Sequence, residues 1–236
     1  MFPRVSCILP TGYGDKYVPL AIQCFLNQRY EGERELIIVD NNDAEISFGC
    51  EIPADESRIA VQYFRCPRMS VGALRNFGTE RATGEICISW DEDDFYSADR
   101  IAFQVNRLLE TGKSVTGFHN LLYYDMRDGR AWKYFYEPRG NHQPYAPGGS
   151  QCYLKSWWES HRFEETGVED LPFTTVALHA NALDSTDCGS MYVARMHGNN
   201  IIPKQIAGRQ WQQISPDDLP EEFRHAIGVG CKEVQK

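Results

Sequence analysis

Two periods of hydrophobic and polar positions alternate along the first half of the chain. Residues 5–9, Val-Ser-Cys-Ile-Leu, read as a short buried strand ended by Pro10. Val18, Ala21, Ile22, Phe25 and Leu26 then recur at helical spacing across residues 17–28. A second strand is expected over 35–39, with Asp40-Asn41-Asn42-Asp43 at its end, and a third over 59–64. Residues 65–84 carry Val71, Leu74, Phe77 and Ala82 at helical spacing, with Gly84 expected as the C-cap. The run Ile86, Cys87, Ile88 and Trp90 predicts another strand, and 97–111 another helix, closed by Gly112. Strand, loop, helix and strand in this order predict a parallel α/β sheet, whose ligands sit beyond the carboxyl ends of the strands. Thr11 and Asp40 fall at such ends.

After residue 112 the pattern changes. Residues 115–124, 131–136 and 152–154 predict strands, several of them aromatic, and 191–196 a last strand. Residues 155–161 predict a short helix. Residues 137–149 are rich in Pro, Gly, Asn and His and show no period, as functional loops do. Tyr134, Tyr136, Tyr145, Trp157 and Trp158 offer either stacking surfaces for an acceptor or ordinary core packing. Glu169 and Asp170 stand at the start of a further helix, where capping acids are common. The tail from Ser215 is polar and is expected to be peripheral.

Composition narrows the class. The 236 residues are 42% hydrophobic, enough for a real core, and no stretch reaches the length of a membrane span. The N-terminus runs straight into the first strand, so no signal peptide is expected. Eight cysteines without pairing motifs read as reduced thiols, so a cytoplasmic protein is expected. A net charge of −9 argues against general nucleic-acid binding. Against this background Asp91, Glu92, Asp93 and Asp94, four consecutive acids at one strand end, call for a positive partner. A divalent cation such as Mg²⁺ or Mn²⁺ suits carboxylate oxygens; an acidic turn in water, or a cap for the next helix, is the plainer alternative.

Three segments together resemble the inverting nucleotide-sugar glycosyltransferases of family 2, which have the GT-A fold. The first is Pro10-Thr11 through Tyr17, Ala21-Ile22, Gln28 and Ile37-Ile38-Val39-Asp40. The second is Gly72-Ala73-Leu74-Arg75-Asn76-Phe77-Gly78, Ala82-Thr83-Gly84-Glu85, Asp91-Glu92-Asp93-Asp94, Arg100-Ile101 and Gln104. The third comprises Cys152-Tyr153, Trp158-Glu159, Arg162-Phe163, residues 167–173 and His197-Gly198-Asn199-Asn200. The resemblance implies an α/β GT-A fold, Rossmann-like, with a mostly parallel central sheet and a mixed acceptor-side β region. Residues 1–112 would form the nucleotide-sugar half, 113–205 the acceptor and base half, and 206–236 a C-terminal extension.

The resemblance also implies roles. Thr11 and Asp40 would line the nucleotide pocket, with Arg75 helping to hold the nucleotide and Lys204 contacting the diphosphate. Asp91 would face ribose and sugar, while Asp93 of the Asp-x-Asp pattern and His197 would bind Mn²⁺ or Mg²⁺. Asp170 would be the general base, with Glu169 supporting it or binding acceptor. A metal that neutralises the departing diphosphate and a carboxylate that deprotonates the attacking hydroxyl explain why two acidic clusters would exist. The donor is expected to be a UDP-sugar by family frequency, and the acceptor a glycan or another hydroxyl compound. Glu92 between the first two aspartates, and Asn41-Asn42 after Asp40, depart from the family pattern. Rival readings are an inert nucleotide-sugar or glycan-binding module, a glycosyltransferase acting on a modified nucleic-acid base, and a sugar nucleotidyltransferase. The last lacks its Gly-rich basic loop.

Overall fold

The structure, a computed structural model, describes residues 2–12, 16–48, 58–136, 146–200 and 204–228. Tyr13, Gly14, Asp15, Tyr145, Cys50, Cys231 and most of the aperiodic loop over 137–149 lie outside the described residues.

Four parallel strands form the first half of the sheet: β1 (Val5–Thr11), β2 (Arg34–Asp40), β3 (Ile59–Arg65) and β4 (Ile86–Ser89), in the order β3-β2-β1-β4. Helix α1 (Val18–Leu26) follows β1 and buries Val18, Ala21, Ile22 and Phe25. Helix α2 (Val71–Arg81) precedes β4, and its N-cap Ser70 accepts from the Ala73 N–H at 3.3 Å. β1 does not stop at Pro10. Its ladder to β2 runs on to Thr11–Asp40, whereas its ladder to β4 ends at Ile8–Ser89. Proline has no N–H to extend the second ladder, so the strand ends part there and leave a cleft.

Gly84 is not the C-cap of α2, which ends at Ala82. A Cβ at Gly84 would lie 2.7 Å from Ser6 Oγ and 2.8 Å from Arg4 O, so the glycine serves the close approach to β1. Likewise Arg65 belongs to β3, not to the helix. The short strand β5 (Phe95–Tyr96) leads to α3 (Arg100–Thr111), which Gly112 closes at φ 63°.

The second half is mixed. Its spine is β6 (Val115–Asp125), followed by β7 (Ala131–Tyr134), β8 (Cys152–Leu154) and α4 (Lys155–Ser160). β8 lies between β4 and β6 and is antiparallel to both. Helix α5 (Asp170–His179) leads to β9 (Leu183–Asp187), a strand not expected from the sequence, and to β10 (Tyr192–Met196). Both β9 and β10 run parallel to β6. β10 is not the last strand, because β11 (Trp211–Ile214) pairs with β7. Nor is the tail merely peripheral. Leu219 and, from α6 (Glu221–Ala226), Phe223 are buried, and Phe223 packs edge-on against Phe95 and Tyr124. Six cysteines among the described residues are free. Among those residues no helix is long and apolar enough to cross a membrane.

Candidate active site

A cavity of about 320 Å³ opens where β1 and β4 part, and the N-termini of α2 and α5 and the end of β10 close around it. The acidic stretch after β4 divides as it enters this cavity. Glu92 turns inward, where it accepts from the Thr11 hydroxyl, and burial pushes its carboxyl up to about 8 against that bond. Asp94 also turns inward. It accepts from the Tyr192 hydroxyl and, at 3.0 Å, from the Arg195 N–H; burial and then the Asp93 and Asp91 charges hold it well above the usual range. All four line the cavity, and Asp91 and Asp93 are the less buried of them.

Each outward acid has a cationic or donor partner from a distant element. Arg75, from the second turn of α2, donates through Nη2 to Asp91 Oδ1 at 2.8 Å. Arg195, on β10, donates through Nε to the Asp93 carbonyl and lies 5.0 Å from the Tyr17 ring centroid. His197 Nε2 is 2.9 Å from Asp93 Oδ2, and Asn200 Nδ2 donates to the same oxygen at 3.1 Å. The Asn199 N–H donates to His197 Nδ1 at 3.1 Å, so Nε2 carries the hydrogen directed at Asp93. The His197 ring stacks on Tyr17 at 4.6 Å, which fixes its plane.

The second acid pair divides in the same way. Glu169 is buried and receives Arg75 Nε at 2.8 Å; burial raises its carboxyl and Arg75 opposes the rise. Burial works against the Arg75 charge as well, yet Asp91 and Glu169 hold the guanidinium above its usual range. Asp170 faces the cavity and accepts the Gly148 N–H at 3.0 Å. Gly148 and Gly149, in a 3₁₀ turn, floor the space between the two pairs. A Cβ on Gly149 would come within 2.5 Å of Asp91 Oδ2 and 2.7 Å of the Tyr192 hydroxyl, so only glycine fits. The floor is fixed from behind by the fully buried Arg100, which donates to the carbonyls of Ser89 and Gly149 at 2.9 and 2.8 Å.

The cavity thus gathers Thr11, Arg75, Asp91, Asp93, Glu169, Asp170, His197 and Lys204. Asp40 stands apart. It is completely buried, bound by Asn42 through N–H and Nδ2 at 2.8 and 2.7 Å and by the Tyr63 hydroxyl at 2.5 Å, and its neighbour Asn41 lines the cavity instead. Trp158 is a core residue, Tyr134 packs on Trp211 and Trp157 stacks on His161. Among the described residues, the rings of Tyr17, Tyr123 and Tyr192 line the cavity together with the His197 imidazole. Arg195, Tyr192 and the Gly148-Gly149 floor escaped the sequence reading. The one signal for Arg195 was a charge inside the apolar strand Tyr-Val-Ala-Arg-Met.

A split parallel sheet with an acid-rich strand end facing a mixed β region is the GT-A architecture. The chain matches the model of glycosyl transferase family 2 over residues 6–183 and belongs to that family. It is 31% identical over 110 residues to an uncharacterized glycosyltransferase of Haemophilus influenzae, a match covering 46% of this chain and 43% of that protein. A second, from Rickettsia felis, is 33% identical over 115 residues, covering 45% and 17% of the two chains. The chain therefore spans less than half the length of the curated relatives it matches. Among solved structures, S. aureus TarS in complex with UDP-GlcNAc superimposes with a TM-score of 0.59 at 16% identity, covering 84% of this chain and 60% of that one. The mannosyltransferase PcManGT from Pyrobaculum calidifontis, in complex with GDP-Man and Mn²⁺, gives 0.60 at 15% identity, covering 84% and 58%.

Proposed function

We propose that this protein is a metal-dependent glycosyltransferase that moves a sugar from a nucleoside diphosphate, UDP foremost, to an acceptor hydroxyl of a glycan with inversion. The observation that carries the reading is that Asp93 and Asp170 line one cavity, each beside a more deeply buried acid locked into the protein.

Asp93 and His197 would hold a divalent cation. The Asp93 carboxylate and the His197 imidazole, 2.9 Å apart at the cavity, are ligand types that suit Mn²⁺ or Mg²⁺; the ion would displace the hydrogen that His197 Nε2 now directs at Asp93, and two protein ligands would leave positions for phosphate oxygens. When bound, the ion supplies Lewis-acid neutralisation of the departing diphosphate. Thr11, Gly12 and Asn41 line the end of the cavity assigned to the nucleotide, and Lys204 brings positive charge to the same surface. The carboxyl of Asp91 accepts sugar hydroxyls, held at the correct height by Arg75 and by the Tyr96 hydroxyl, which receives the Asp91 N–H at 2.6 Å.

Asp170 takes the proton from the attacking hydroxyl at a carboxylate oxygen. Glu169 does not compete for that role, because Arg75 occupies its carboxylate; it fixes the first turn of α5 and so the position of Asp170. TarS, bound to UDP-GlcNAc, and PcManGT, bound to GDP-Man and Mn²⁺, support both the donor class and the metal.

The test is nucleotide release from UDP-, GDP-, dTDP- and CMP-sugars with Mn²⁺, Mg²⁺ or EDTA. Release from one donor that EDTA and Asp93→Ala abolish is the expected result. Silence across the panel, with no metal-dependent nucleotide binding by calorimetry, would sink the reading.

A further inference from the structure

Arg195 is buried, yet it spends its charge on main-chain oxygens. Its side chain donates through Nε to the Asp93 carbonyl and through Nη2 to the Glu92 carbonyl at 3.5 Å. Among the described residues it makes no ion pair, although four consecutive acids form the turn beside it. A buried guanidinium is costly to desolvate and normally faces a carboxylate. Here it faces two successive peptides, so what it fixes is the course of the backbone through Asp93. Its own N–H adds the Asp94 carboxylate at 3.0 Å, and one residue thus grips Glu92, Asp93 and Asp94 together.

The same guanidinium lies 5.0 Å from the centre of the Tyr17 ring, within cation–π range. Tyr17, the buried N-cap residue of α1, stacks in turn on the His197 imidazole, with centroids 4.6 Å apart and planes 23° apart. His197 Nε2 comes back to Asp93 Oδ2. Asp93, Arg195, Tyr17 and His197 therefore form a closed ring of contacts. Two of them are the acid and the imidazole assigned to the cation. The other two are not ligand types, since Tyr17 presents a ring face and a guanidinium repels a cation. Their contacts set direction instead: Arg195 fixes the main chain of Asp93, and Tyr17 fixes the plane of His197. Groups that orient ligands from behind commonly change metal affinity about 10–100-fold.

We propose that Arg195 and Tyr17 are positioning residues for the divalent-cation site, bracing Asp93 and His197 toward one another and so setting the affinity for the ion. The inference rests on the metal-dependent reading above.

The test is Mn²⁺ binding to the full chain in the presence of UDP, read from the electron paramagnetic resonance signal of free Mn²⁺. Melting in EDTA checks that each variant folds. Arg195→Met and Tyr17→Leu are expected to raise the half-saturating Mn²⁺ concentration about 10–100-fold. Tyr17→Phe, which keeps the ring, is expected to restore the wild-type value. The sign separates a brace from plain electrostatics, because loss of a nearby positive charge alone tightens cation binding. Arg195→Met that binds Mn²⁺ as tightly as the wild type, or more tightly, therefore overturns the role of Arg195. A defect in Tyr17→Phe equal to that in Tyr17→Leu overturns the role of the ring. Should Arg195→Met fail to melt cooperatively, Arg195→Lys, which keeps the charge and loses the planar fork, carries the same expectation. Wild-type Mn²⁺ binding that none of these variants alters removes the brace and leaves the metal site standing. A wild type that binds no Mn²⁺ yet hydrolyses one donor in EDTA removes the metal site and the brace together and leaves glycosyl transfer standing.

Discussion

The acidic stretch after β4 and the acid pair at the head of α5 solve one problem twice. Each places carboxylates side by side, and each separates them by direction. Glu92 and Asp94 are buried against hydroxyl and N–H donors, and Asp91 and Asp93 are the more open pair at the cavity. Glu169 is buried against Arg75, and Asp170 is the more open of the two at the cavity. The difference lies in the inward partners. The first cluster is held by neutral donors, so burial drives its inward acids toward the protonated form. The second is held by a guanidinium that also reaches Asp91, so one buried cation ties the two clusters together.

The largest effect should come from the outward members. Asp170→Asn is expected to lower the transfer rate by about 10²–10⁴-fold with donor binding retained, in steady-state kinetics and nucleotide titration. A variant that keeps wild-type turnover would erase the distinction between outward and inward acids. Next is the shared cation. Arg75→Met strands two carboxylates and is expected to cost about 3–5 kcal/mol in urea unfolding, whereas neutral replacement of both acids with it should recover much of the loss. A cost below about 1 kcal/mol would show that the tie between the clusters is not structural.

The smallest effect sharpens the contrast between buried glutamates. Burial raises Glu169 above the usual range despite Arg75, so its contribution is complete below an ordinary glutamate pKa of about 4.3 and is lost as pH rises through the higher folded value. Glu35, on β2, has the opposite sign. Burial pushes it up, but the Ser6 hydroxyl and the N–H and hydroxyl of Thr83, at 2.6, 2.7 and 2.8 Å, more than offset this and hold it low. Its stabilisation is present above about pH 4.3 and fades as pH falls through the depressed value. Unfolding free energies of Glu35→Gln and Glu169→Gln across pH should therefore diverge from wild type with opposite slopes, and parallel slopes would contradict the assignment.

The first half of the fold was legible because its strands and helices are apolar in clean periods, from the buried run of β1 to the Gly112 cap. The cavity was legible only in part. Which of four consecutive acids face outward depends on Tyr192 and Arg195, about a hundred positions later, and no local pattern announces them. β9, Leu-Asp-Ser-Thr-Asp, lacks an apolar face and becomes a strand through its backbone pairing with β6. Leu219 and Phe223 were hidden in a polar tail because two apolar residues suffice to fasten it.

β6 has a consequence for how the chain reaches this state. Its first residues pair with β8, which pairs in turn with β4, and its later residues pair with β7 and β10. The two halves are joined by two ladders, β4 with β8 and β5 with β10, and β8 and β10 both lean on β6. Neither can complete its hydrogen-bond ladders while the other is unfolded, so heat or denaturant should melt them in a single cooperative step. Because the strands that β6 gathers come from far along the chain, that step should also be slow to reverse.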